Sequence, residues 1–139
     1  MTTADNRRSV SIVRTAPGRF RATNSRGGTL DFGGDDEFSP VELLMVAIGG
    51  CSGVDVDLIT GRRAQPDSFR IDVAGAKARG ETGNHMEDLS VTFTLRFPEG
   101  EAGDAARAVL PEAMRQSHER LCTVSRTVEE PTPVEFRLG

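Results

Sequence analysis

Residues 39–54 read SPVELLMVAIGGCSGV and carry the pattern of a buried helix. Ser39 and Glu42 have the spacing of a capping box, and Pro40 stands at the first helical position, so a helix begins near Pro40. Apolar residues then recur at steps of three and four, and the first half of the helix is apolar almost all round. They are Leu43, Leu44, Ala47, Ile48, Cys51, Val54 and Leu58. We expect a buried central helix.

Three glycines surround Cys51 in this helix, namely Gly49, Gly50 and Gly53. Glycine inside a helix costs about 1 kcal/mol relative to alanine, so something should compensate. Two interpretations are open: close approach of another helix, or a kink at Gly49 and Gly50 that opens the thiol toward a pocket. Either places Cys51 at a close contact, whereas a cysteine on an apolar helix face is otherwise an inert small hydrophobe.

The residues before this helix alternate between apolar and polar, as half-buried strands do. The predicted strands contain Val10, Phe20 and Leu30, with a turn at 24–28 between the last two. They form a short antiparallel meander.

The residues after the helix predict two further strands, at 69–73 and 89–97, joined by a turn at 80–84. A second amphipathic helix follows over about 102–121, with Pro111 as a candidate kink. Residues 133–138 read as a short closing strand. This order predicts an α+β fold, an antiparallel sheet with helices on one face.

Length and charge restrict the classes of protein that fit. A chain of 139 residues fits a single domain, 1–139. With 17 basic and 21 acidic residues, a net charge of −4 and no basic cluster, we expect no nucleic-acid partner. The N-terminal residues contain no apolar run, so we expect no signal peptide, no membrane anchor and a cytoplasmic location. In a reducing cytosol, paired cysteines are more often catalytic or redox-sensing than structural.

The second cysteine, Cys122, closes the second predicted helix. One thiol in an apolar helix and one at a helix end suit a peroxide-reducing dithiol. His118 and Cys122 are four residues apart and could share a metal, but two cysteines and two histidines make no tetrahedral set, and we expect neither metal nor cofactor. Asp55 and Asp57 are interpreted as polar-face residues.

The chain resembles the OsmC/Ohr superfamily, the osmotically inducible and organic hydroperoxide resistance proteins. The resemblance lies in PVELL at 40–44, the apolar helix up to Cys51, and CTVSR at 122–126. It spans nearly the whole chain and is closest to the OsmC-like subgroup. It implies an intertwined homodimer with two active sites at the subunit interface.

The resemblance also implies a thiol-dependent reduction of organic hydroperoxides. Cys51 would be the peroxidatic thiolate, which attacks the peroxide and becomes a sulfenic acid. Cys122 would then form a disulfide with it, and an external dithiol reductant would reset the pair.

Burial among aliphatic side chains raises a thiol pKa, so Cys51 needs a nearby cation. In the family an arginine of the N-terminal strands supplies it, and the match assigns Arg19, with Arg21 second. Glu42 would orient that arginine. The family has glutamate directly after the proline, where this chain has Val41, and one residue turns a helix by about 100°. Helix capping is therefore the alternative role of Glu42.

Three hypotheses follow for function. The first is a Cys51/Cys122 hydroperoxide reductase. The second is an OsmC-like redox sensor or small-ligand-binding protein without peroxidase turnover, which the departure at Val41 favours. The third is a structural dimer in which both cysteines are inert.

Overall fold

The N-terminal part of the chain forms the predicted antiparallel meander. The computed structural model describes residues 6–139 and contains strands β1 (Val10–Ala16), β2 (Arg19–Asn24) and β3 (Thr29–Phe32), paired in that order. Phe20 lies opposite Phe32, and their rings stack with centroids 5.9 Å apart.

Helix α1 (Pro40–Gly61) begins where the sequence predicts. The Glu42 N–H donates to Ser39 Oγ at 3.1 Å, and the Ser39 N–H donates to Glu42 Oε1 at 2.9 Å, which is the reciprocal pair of a capping box. The helix runs without interruption through Gly49 and Gly50. The predicted start is confirmed.

The described residues divide into two compact units, and the division falls within α1, between Leu44 and Met45. The N-terminal unit contains the meander and the start of α1, and the C-terminal unit contains the rest. The single domain 1–139 stays a prediction. The expectation of no leader or anchor rests largely on residues 1–5, which lie outside the described residues.

The sheet of the C-terminal unit is a long antiparallel hairpin. Strand β4 (Ser68–Gly80) pairs with β5 (Gly83–Arg96), with a bulge between Ala74 and Ala76. Both strands and the turn were predicted, and both strands run further toward the turn than the alternation indicated.

Gly49 and Gly53 let α1 lie directly on β4. A Cβ atom at Gly49 would stand 2.6 Å from Val73 Cγ2, and one at Gly53 would stand 2.5 Å from Ile71 Cδ1. Both distances are shorter than van der Waals contact, so the strand approaches closely only because these side chains are absent. The close partner is therefore a strand. The interpretation based on a second helix is wrong, and the kink at Gly49 and Gly50 stays a prediction.

The same helix is buried along one face. Val56 and Thr60 have no exposed surface, whereas Val54 and Leu58 are 63% and 60% exposed in the single chain. By length and composition alone, the 22 residues of α1 could cross a membrane, and a core helix of a globular protein meets the same criterion. The membrane criterion therefore does not explain the exposed apolar face of α1, which needs a partner that covers it or another explanation.

The second predicted helix is divided in two, and a third helix that was not predicted follows it. Helix α2 (Glu101–Gln116) contains Pro111 without ending there, a five-residue π-helix follows at Ser117–Leu121, and α3 (Thr123–Glu129) comes after Cys122. The helical conformation extends to Leu121 as predicted, but residues 117–121 are π-helical rather than α-helical.

The predicted closing strand at 133–138 is wrong. Residues 131–139 pair with no strand in the part of the chain that the structure describes. Their apolar side chains are almost fully solvated, with Val134 at 80%, Phe136 at 93% and Leu138 at 101% exposure. A strand needs a hydrogen-bonding neighbour as well as an alternating sequence, and these residues have the sequence alone.

Candidate active site

The two cysteines are neighbours in the C-terminal unit, although 71 positions separate Cys51 and Cys122 in the chain. Both are free thiols, close enough for each to shift the pKa of the other. Cys51 is half-buried on α1, and Cys122 is 1% exposed. The structure therefore brings together one reachable and one enclosed sulfur.

Cys122 caps the N-terminus of α3 with its sulfur. Its Sγ accepts the Ser125 N–H at 3.4 Å and lies 3.2 Å from Ser125 Oγ. The neutral thiol donates to that hydroxyl oxygen, and the hydroxyl donates in return when the sulfur is a thiolate. The Ser52 hydroxyl, next to Cys51 in sequence, also faces this sulfur.

These donors determine the acidity of Cys122. Burial acts to raise the pKa of its thiol, but hydrogen bonds from Ser125 and Ser52, with a smaller one from Cys51, outweigh burial and lower the pKa. The protein therefore stabilises the thiolate of the buried Cys122.

Cys51 has the opposite balance. Burial raises the pKa of its thiol, and the neighbouring Cys122 raises it further. The backbone N–H groups of Val124 and Thr123, at the start of α3, counteract part of that rise. The pKa is therefore raised at Cys51 and lowered at Cys122.

The π-helix holds Cys122 in place. The Cys122 N–H donates to the Ser117 carbonyl oxygen at 2.8 Å, the five-residue step that defines a π-turn. The buried Ser117 hydroxyl donates to Asp55 Oδ2 on α1, also at 2.8 Å. The interpretation of Asp55 as a polar-face residue is therefore wrong, whereas Asp57 is exposed as predicted.

A cavity of about 430 Å³ adjoins the cysteine pair within the C-terminal unit. Its walls are mostly apolar, with Ser52 and Ser125 on the side toward Cys122. The full lining is Ile48, Ser52, Leu89, Val91, Phe93, Met114, Arg115, His118, Ser125 and Glu129. Such a space can hold an apolar group next to the two hydroxyls.

His118 lies on the exposed rim of this cavity. Its Nε2 is 2.8 Å from Glu129 Oε1, and its side chain is 65% exposed. Among residues 6–139, no group of three or more His, Cys, Asp or Glu side chains could hold a metal ion.

The other predicted site residues belong to the N-terminal unit. Arg21 binds Asp31 with two hydrogen bonds of 2.6 and 2.9 Å, whereas Arg19 has a looser contact of 3.7 Å with Asp36. Glu42 caps α1, and its backbone and side-chain hydrogen bonds with Ser39 lower the pKa of its carboxyl. Their relation to the cysteines of the other unit stays a prediction.

The sequence of this chain matches the OsmC-like protein family over residues 33–137. The chain belongs to the OsmC-like family. This OsmC-like protein is 27% identical over 131 residues to an uncharacterized protein of Mycobacterium tuberculosis, covering 91% of this chain and 93% of that one.

Two solved structures share the fold of this OsmC-like chain. An OsmC-like protein of Vibrio cholerae superposes with a TM-score of 0.73 at 12% identity, covering 88% of this chain and 94% of that one. The organic hydroperoxide resistance protein OhrB of Bacillus subtilis superposes with a TM-score of 0.55 at 18% identity, covering 90% and 92%. The expected α+β OsmC-like fold and the resemblance to this superfamily are both confirmed.

Proposed function

We propose that this OsmC-like protein is a thiol-dependent reductase of organic hydroperoxides that acts through Cys51 and Cys122. The observation that carries the proposal is the adjacency of a half-buried and a fully buried thiol beside an apolar cavity. Two neighbouring cysteines can convert a sulfenic acid into a disulfide before further oxidation. The name of the Bacillus subtilis relative supports organic hydroperoxides as the substrate class.

In the first step the Cys51 thiolate attacks the distal oxygen of the hydroperoxide. The O–O bond breaks, the proximal oxygen leaves as an alkoxide that takes up a proton to give the alcohol, and Cys51 becomes a sulfenic acid. In the second step the Cys122 thiolate attacks the Cys51 sulfur. The S–O bond breaks, hydroxide leaves and is protonated to water, and the disulfide forms. The peroxide gains the two electrons that the thiols lose.

The cavity accounts for a preference for organic substrates. Its aliphatic and aromatic walls suit the hydrocarbon part of the peroxide, because burial of apolar surface contributes roughly 25 cal/mol per Å². Hydrogen peroxide has no such part. The expected rate advantage is therefore for alkyl and aryl hydroperoxides.

Cys51 needs support as a thiolate because burial raises its pKa. The Val124 and Thr123 N–H groups supply part of that support. For the cation we propose Arg19 ahead of Arg21, because the Arg21 guanidinium is already held by Asp31 through two hydrogen bonds. Glu42 would orient Arg19 in addition to capping α1.

The remaining partners are a dithiol reductant and a second subunit. A dithiol resets the disulfide by two successive exchanges. A second copy of the chain would cover the exposed apolar face of α1, which includes Val46, Val54 and Leu58. We retain a cytoplasmic location, where such thiols stay reduced between turnovers.

A second candidate is a redox sensor or small-ligand-binding protein without turnover. The capping contact between Glu42 and Ser39 favours it, because a carboxylate used in a cap is less free to orient an arginine. The two candidates differ in whether a dithiol sustains repeated consumption of peroxide.

The test is thiol loss after one equivalent of cumene hydroperoxide is added to the reduced protein, with hydrogen peroxide in parallel and peptide mapping without reductant. We expect rapid formation of the Cys51–Cys122 disulfide, faster with the organic peroxide, and none in Cys51→Ser. Wild-type consumption of peroxide by Cys51→Ser would contradict the reductase. A single oxidation without turnover on added dithiothreitol would favour the sensor.

A further inference from the structure

The two sulfurs differ in what can reach them and in what surrounds them. Cys51 is half-buried, whereas Cys122 is 1% exposed and enclosed by Ser52 and Ser125, which are themselves 8% and 9% exposed. Thiol–disulfide exchange requires a thiolate to approach one sulfur while the other departs, so this asymmetry bears on the reset of the disulfide.

We propose that the reductant attacks Cys51 Sγ, and that Cys122 departs as a thiolate stabilised by the hydroxyls of Ser52 and Ser125 and by the Ser125 N–H. This assignment rests on the proposed function, since it concerns the reductive half of the same cycle. It makes Ser52 and Ser125 catalytic residues, because both face the reacting sulfur.

Accessibility carries the first half of the assignment. An attacking sulfur must reach its target from outside, and in the single chain the half-buried Cys51 has exposed surface whereas Cys122 has almost none.

Hydrogen bonding carries the second half. A better-stabilised thiolate leaves faster in thiol–disulfide exchange. Cys122 Sγ has the Ser125 N–H at 3.4 Å and Ser125 Oγ at 3.2 Å, and it also faces the Ser52 hydroxyl. These groups belong to α1 and α3, so they are in place before the charge develops.

The exchange balances in two steps. The first thiolate of a dithiol bonds to Cys51 sulfur, the Cys51–Cys122 bond breaks, and the electron pair remains on Cys122. The second thiol of the reductant, deprotonated, attacks the mixed disulfide at the reductant's own sulfur and expels Cys51 as a thiolate. The two protons that the dithiol has lost are taken up by Cys51 and Cys122. The reductant becomes a cyclic disulfide, and both protein thiols are restored.

The experiment starts from full-length protein oxidised with diamide, so that it does not depend on peroxide turnover. Glutathione is added, the reaction is quenched rapidly with acid, and the mixed disulfide is located by mass spectrometry after peptic digestion. We expect glutathione on Cys51. Glutathione on Cys122, or failure of diamide to form the bridge, would overturn the assignment, and neither result depends on whether the protein reduces peroxides.

Variants test the two hydroxyls. We expect Ser125→Ala and Ser52→Ala to slow reduction of the bridge by dithiothreitol, each by about 3- to 10-fold. Ser125→Thr, which keeps a hydroxyl, should restore much of the rate, and the exposed Ser90→Ala on β5 should match wild type. In a Cys51→Ser background, Ser125→Ala should also shift the ultraviolet thiolate titration of Cys122 to higher pH. Wild-type rates and an unshifted titration would overturn the role of the hydroxyls.

Discussion

Ser117 on the π-helix donates a hydrogen bond to Asp55 on α1, with 2.8 Å between Oγ and Oδ2, although the two residues are 62 positions apart in sequence. Asp55 lies one helical turn beyond Cys51, and the Ser117 carbonyl oxygen accepts the Cys122 N–H. One serine thus connects the helix that carries Cys51 with the backbone of Cys122, which fixes the spacing of the two thiols.

Asp55→Ala should impair disulfide formation more than it impairs folding. Loss of one buried hydrogen bond costs about 1 kcal/mol, whereas closure of a disulfide depends steeply on the distance between its sulfurs. We expect the Cys51 sulfenic acid to persist longer, which dimedone trapping measures. Asp55→Asn keeps an acceptor and should behave as wild type, and Asp57→Ala is the exposed control. Equal trapping in Asp55→Ala and wild type would rule out the positioning role.

The two thiols should titrate in opposite directions from an ordinary cysteine, whose pKa is about 8.5. In Cys51→Ser, hydrogen bonds from Ser125 should keep the pKa of Cys122 lowered, so its thiolate appears at lower pH. In Cys122→Ser, burial should keep the pKa of Cys51 raised. Because the thiolate is the reactive form, oxidation of Cys122→Ser by peroxide should accelerate about tenfold per pH unit up to that raised pKa. Thiolate absorbance measures the two pKa values, and stopped-flow oxidation measures the pH dependence of the rate. A pKa lower at Cys51 than at Cys122 would contradict the assignment.

Gly49→Ala and Gly50→Ala form a matched pair, because both glycines lie in the middle of α1, away from its ends. A methyl group at Gly49 would meet Val73, so this variant should lose about 1–3 kcal/mol of unfolding free energy through overpacking. Nothing lies within 4 Å of a Cβ at Gly50, so that variant should gain roughly 0.5–1 kcal/mol. Urea denaturation measures both, and equal effects would refute the close packing of α1 on β4.

Glu42→Gln separates the two roles of Glu42. Glutamine retains an oxygen that can accept the Ser39 N–H, so the cap and the thermal stability should be little changed. If the charge of Glu42 orients Arg19, Glu42→Gln should lower the rate of Cys51 oxidation by a large part of the loss that Arg19→Ala causes. Arg21→Ala is the comparison for Arg19. A wild-type rate in Glu42→Gln would assign Glu42 to capping alone.

Val54→Asp should weaken self-association, because it places a charge on the exposed apolar face of α1. We expect wild type to sediment as a dimer and the variant to shift toward monomer in analytical ultracentrifugation. Glu99→Gln, at an exposed position before α2, changes a charge away from this face and should leave the dimer unchanged. A monomeric wild-type protein would contradict the proposed partner.

Local patterns in the sequence predict most of the elements. The capping box at Ser39 and Glu42 marks the start of α1, and alternating apolar residues mark all five strands. The glycines around Cys51 correctly indicate a close contact. The identity of the contact, Ile71 and Val73, depends on tertiary packing that the helix sequence does not contain.

The finer features of the site depend on contacts between distant residues. The π-helix is stabilised by Ser117 and Asp55 rather than by a local motif, so its residues look like ordinary helix. Ser125 carries a weak local signal, because a serine three residues after Cys122 suits the first turn of a capped helix. Ser52 carries no local sequence signal, because its role depends on the approach of α3.

A π-turn contains one more residue than the α-turn it replaces. Deleting one residue between Ser117 and Cys122 would convert the π-turn into an α-turn, in which the Cys122 N–H could still donate to the Ser117 carbonyl oxygen. Five residues of a π-turn and four residues of an α-turn each make about one turn of helix, so the sulfur would keep nearly the same direction. The place of Cys122 beside Cys51 therefore depends on how Ser117 is held against Asp55, and the turn itself tolerates a change in the number of residues.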